Sequence, residues 1–132
     1  FARTVGGGRG GGVRIADIEF GWTTDHEDLP LIGFGFGING AFLGGDAAGH
    51  GTAVFGVLAA QANNFGANGI APDSTIGWSS VTGGPPVLYP PMFFYSVGNA
   101  LLQSVHALRP GDIALIEQHF PTGAIPAPGN PC

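Results

Sequence analysis

The chain has 132 residues, with 44 % hydrophobic residues, 25 glycines, 11 prolines and a net charge of −5. The apolar fraction excludes wholesale disorder and the size fits one modest domain or part of a larger one, while the Gly and Pro content calls for many loops. Four arginines, no lysine and nine acids leave no basic cluster for nucleic acid or an anionic membrane, so neither is expected as a partner.

Residues 1–12 carry Gly6–Gly8 and Gly10–Gly12 around Arg9 and read as a flexible lead-in. A phosphate loop would follow a strand and carry a lysine; this run precedes the first strand and has none. Val13–Glu19 is the first predicted strand, rich in β-branched residues, and Asp17 and Glu19 share one of its faces. Residues 20–49 read as a long irregular loop with an acidic knot at Asp25-His26-Glu27-Asp28. Val54, Val57, Leu58 and Gln61 recur at helical spacing, which places His50 in the first turn of a helix, between Gly49 and Gly51. Gly56 offers a place for another element to approach that helix.

The turn-formers of 63–69 follow, then a second strand at 75–81 and a Pro-rich loop at 82–91. Phe93, Phe94, Val97, Leu101, Val105 and Leu108 predict an amphipathic helix that ends at Arg109, before Pro110-Gly111. Residues 112–118 form a third strand, whose apolar centre suits a sheet buried on both faces. Residues 121–132 form a Pro-rich tail, and the single cysteine, Cys132, excludes an intrachain disulfide. Strand–helix–strand–helix–strand order predicts an α/β unit with a parallel sheet over 13–120, its site at the carboxyl ends of the strands.

Four stretches resemble the subtilisin-like serine peptidases. Val13-Arg14-Ile15-Ala16-Asp17-Ile18-Glu19-Phe20-Gly21 is similar to the strand that ends in the family's catalytic acid. His50-Gly51-Thr52-Ala53-Val54-Phe55-Gly56 resembles its histidine motif. Asn63-Asn64 through Gly69-Ile70-Ala71-Pro72 resembles the segment after that histidine, and His26-Glu27-Asp28-Leu29 its His-Pro-Asp-Leu segment.

The resemblance implies a three-layer parallel-sheet fold, truncated to about half of the family domain. It implies His50 as general base, with Glu19, or less favourably Asp17, as the acid that orients it; Glu19 departs from the family's aspartate. Glu117, Gln118 and His119 would line the substrate groove. The family's Gly-Thr-Ser nucleophile motif is missing, so the isolated chain is expected to be inactive on a peptide or protein substrate.

No cofactor is expected, with calcium left as a disfavoured alternative, because the 63–69 turn resembles the family's calcium-loop region but is shortened. The alternatives are one half of a split peptidase, whose second chain supplies serine and the oxyanion asparagine, and a non-catalytic homo-oligomeric assembly module. A metal hydrolase built from Asp46, His50 and the Asp25–Asp28 knot is a third alternative, disfavoured because no His-x-x-x-His or Glu-x-x-His pair is present. The resemblance favours a secreted or cell-envelope location.

Overall fold

A computed structural model describes residues 4–40, 46–83 and 94–117. Its elements are β1 (Arg14–Glu19), β2 (Phe34–Phe36), α1 (Asp46–Ala59), β3 (Thr75–Ser80), β4 (Thr82–Gly83), β5 (Phe94–Tyr95), α2 (Val97–Ser104) and β6 (Ile113–Ile116). Four strands form one parallel sheet in the order β2-β3-β1-β6, and β4 pairs with β5 in a small antiparallel ladder. The fold is α/β.

Alternation along β1 sends its side chains to two different layers. Ile15 packs with Trp22, Leu29, Phe55, Ala59 and Ile76 under α1. Ile18 packs with Val81 and Ala100 under α2. The two helices therefore cover opposite faces of the sheet. The chain reaches β3, on one side of β1, through α1, and β6, on the other side, through α2. Strand order thus reverses at β1, and a crevice at its carboxyl end follows from that topology.

Several predicted elements shift. The 20–49 loop contains β2, which pairs with β3 from Phe34 opposite Gly77 to Phe36 opposite Ser79. Helix α1 begins at Asp46, so His50 lies one turn deeper than its motif indicates. The helix expected from residue 93 starts at Val97, because Phe94 and Tyr95 are in β5 and the Ser96 hydroxyl caps the helix by accepting from the Asn99 amide at 3.1 Å. Strand β6 is not buried on both faces: it is an edge strand, with Ile113 and Ile116 exposed.

Residues 4–12 form successive turns, and Arg9 bonds Asp73 through both carboxylate oxygens, at 2.6 and 2.8 Å. Among the described residues no heavy atom outside its own helix lies within 4 Å of where a Gly56 side chain would begin, so none of them makes the close approach expected there. Residues 121–132, Cys132 included, lie outside the described residues.

Candidate functional site at the carboxyl end of β1

Register assembles the site. Ile18 of β1 stands opposite Ile116 of β6, so Glu19 and Glu117, each one residue further on, come side by side. Helix α1 crosses above and supplies His50. Its Nδ1 lies 2.9 Å from Glu19 Oε1, and its Nε2 lies 3.9 Å from Glu117 Oε2. Glu19 is buried, with 3 % of its side chain exposed, whereas His50 and Glu117 expose 54 % and 42 %. Burial raises the Glu19 carboxyl above its usual range, and the neighbouring imidazole opposes that rise. The arrangement is a buried carboxyl that fixes one nitrogen of a largely exposed imidazole and leaves the other on the side of the exposed Glu117. It suits proton transfer at Nε2.

Asp17, the alternative acid, points to a different partner. Its Oδ2 accepts from Trp22 Nε1 at 2.7 Å, while its Oδ1 has no hydrogen-bond partner among the described residues. Burial lifts its carboxyl to about 7, partly offset by the Trp22 bond and reinforced by the charges of Glu19 and Glu117.

Trp22 is the floor of the site. It is 1 % exposed and stacks on Phe55 of α1 and Trp78 of β3, with ring centroids 5.9 and 5.4 Å apart. A Cβ at position 51 would fall 2.5 Å from Gly21 O and 2.7 Å from Trp22 Nε1. Glycine at 51 is what lets α1 settle onto this floor beside His50. Thr52 ties the same turn down: its hydroxyl donates to Ala48 O at 2.5 Å and accepts from the Thr23 amide at 2.8 Å. Asn39 clamps the Trp22 backbone in both directions, at 2.9 and 2.8 Å. Trp22 and Asn39 escape a reading by motif, because an aromatic after a strand and an asparagine in a Gly-rich loop carry no pattern of their own.

The acidic knot serves a different purpose. Asp28 is buried, and its Oδ2 accepts from the Ala67 amide at 2.7 Å, which closes the 63–69 turn. Gly66, at φ +59°, passes so close that a Cβ there would lie 2.5 Å from that carboxylate. Among the described residues the knot does not gather with His50. The metal-ligating groups that do come together are Glu19, His50 and Glu117, with one donor atom of each within 4.8 Å of the others. Gln118 and His119 lie outside the described residues, and of the Asp46 side chain nothing is described.

The chain is 34 % identical to subtilisin DY of Bacillus licheniformis over 70 residues, a stretch that covers 53 % of this chain and 26 % of that protein. The similarity is to a subtilisin. It spans about a quarter of that relative's length. No family model matches the chain. Among the described residues no helix is long and apolar enough to cross a membrane.

Proposed function

We propose that this chain is the N-terminal part of a subtilisin-like serine peptidase domain, in which Glu19 and His50 form the acid–base pair of an acid–His–Ser triad. The observation that carries the reading is the 2.9 Å contact between Glu19 Oε1 and His50 Nδ1, on an imidazole that is itself 54 % exposed. The similarity to a subtilisin and the order of the motifs support it. In the proposed mechanism Glu19 keeps the proton on Nδ1, so Nε2 holds the lone pair. Nε2 takes the proton of a serine hydroxyl as that oxygen attacks the peptide carbonyl, then returns it to the amine that leaves.

The serine comes from elsewhere. The five serines of this chain are Ser74, Ser79, Ser80, Ser96 and Ser104. Ser74, Ser79 and Ser104 donate to the carbonyls of Ala71, Ala100 and Leu101, Ser80 shares a bond with Thr82, and Ser96 caps α2. Each is committed locally, and the Gly-Thr-Ser motif is missing from the sequence. A peptide or protein substrate, and a location outside the cell or in its envelope, belong to this reading.

Proton NMR tests the pair. A strongly deshielded Nδ1–H resonance is expected from the metal-free chain and is lost in Glu19→Gln. If the resonance is missing, or survives that substitution, the acid–base assignment falls. The isolated chain is expected to leave peptides uncut. Turnover abolished by His50→Ala would mean that the nucleophile lies within these residues.

A second reading, a homo-oligomeric assembly module, draws on the edge position of β6 and its exposed Ile113 and Ile116. A dimer that persists in His50→Ala but is lost when Ile113 and Ile116 become charged would favour it.

A further inference from the structure

Three metal-binding groups from three different elements converge at the end of β1, and an acid–base pair requires only two of them. We propose that Glu19, His50 and Glu117 form a binding site for a zinc-class divalent cation. One donor atom of each lies within 4.8 Å of the others. A tetrahedral zinc on bonds of about 2.0–2.1 Å holds its ligands about 3.3 Å apart. The 2.9 Å separation of His50 Nδ1 and Glu19 Oε1 is already near such an edge, which makes Nδ1 the coordinating nitrogen. Glu117 has further to come, because its Oε2 stands 3.9 Å from Nε2, the ring nitrogen that does not coordinate. It lies just beyond an edge strand with its side chain 42 % exposed, so a change of rotamer brings it in without disturbing the core.

Charge favours occupancy. Two carboxyl groups face one imidazole, and the chain has no lysine to balance them. Arg9 is held by Asp73, and Arg14 donates to Ala107 O and lies over the Phe34 ring. An imidazole with two carboxylates is a nitrogen–oxygen set that suits zinc, whereas calcium and magnesium prefer all-oxygen shells. Three protein ligands leave the fourth position open to water. A cation on Nδ1 takes the place of the proton that Glu19 holds there and leaves the ring proton on Nε2, so bound metal and proton transfer at Nε2 exclude each other. That consequence rests on the peptidase reading, but metal binding itself does not.

The test is calorimetric titration of the 132-residue chain with zinc chloride, paired with cobalt substitution read by visible absorption. One equivalent is expected to bind, with a tetrahedral cobalt spectrum. Binding weakens as pH falls, because the imidazole must be unprotonated to coordinate. Glu117→Gln is expected to weaken binding at least tenfold, and His50→Ala to abolish it. Calcium chloride is expected to produce no heat of binding. Both substituted side chains are exposed, and circular dichroism checks that each variant keeps its fold. No saturable zinc binding below about 1 mM, or an affinity unchanged in Glu117→Gln, would overturn the site. The low-field proton is read on metal-free chain, so the metal site and the acid–base pair stand or fall separately.

Discussion

The two faces of β1 obey different rules. Toward α2 the strand presents the buried Ala16 and Ile18, of which Ile18 packs with Val81 and Ala100, and the nearby buried hydroxyl of Ser79 is satisfied by Ala100 O at 2.7 Å. Toward α1 it presents Ile15, Asp17 and Glu19, so apolar side chains give way to carboxyls as the strand approaches its end. A buried carboxyl is costly unless it is paired or protonated. One face builds stability by ordinary packing. The other departs from that rule at the candidate site.

Substitutions on the two faces sharpen this contrast. The largest effect is expected for Trp22→Ala, which removes the floor under α1 and costs about 3–5 kcal/mol, measured by urea unfolding. A loss no greater than that of a surface substitution would show that the floor carries no packing role. Gly51→Ala should cost about 1–3 kcal/mol through overpacking, because its Cβ meets Gly21 O and Trp22. It should also broaden or remove the low-field His50 proton by lifting the helix, and an unchanged resonance would sever Gly51 from the site.

The third effect is graded with pH. The Asp17 carboxyl titrates at about 7 in the fold, against about 3.9 in an unfolded chain. A raised acid contributes stability that is complete below the unfolded value and is lost as pH rises through the folded one. Burial of Glu19 acts in the same direction. The urea midpoint should therefore fall between pH 5 and pH 8, and fall less in Asp17→Asn. Equal slopes for the two proteins would remove Asp17 from the account. The smallest effect belongs to the apolar face, where Ile18→Val should cost about 0.5–1.5 kcal/mol with no pH dependence.

The parts of the fold legible in the sequence were those with a local pattern. β-Branched alternation marks β1, and the His-Gly-Thr run marks the stretch of α1 that carries His50. What escaped depends on neighbours distant in sequence. Phe34-Gly35-Phe36 is too short for its periodicity to register and becomes a strand only by pairing with β3. Ile113–Ile116 has the composition of a central strand, yet its edge position is set by topology, which composition does not encode. The pairing of Glu19 with His50 followed from motif order. The approach of Glu117 to the second nitrogen required the register between β1 and β6.

That register leaves the site with a stiff side and a compliant one. Glu19 ends a central strand hydrogen-bonded on both sides, whereas Glu117 follows a four-residue strand that, among the described residues, is held on one side only. Local opening begins where the fewest bonds hold the backbone, so amides of β6 should exchange with solvent before those of β1. The cleft then behaves as a fixed jaw and a moving one, in which Glu19 keeps its place on the central strand and Glu117 is the carboxyl that shifts to meet an incoming group.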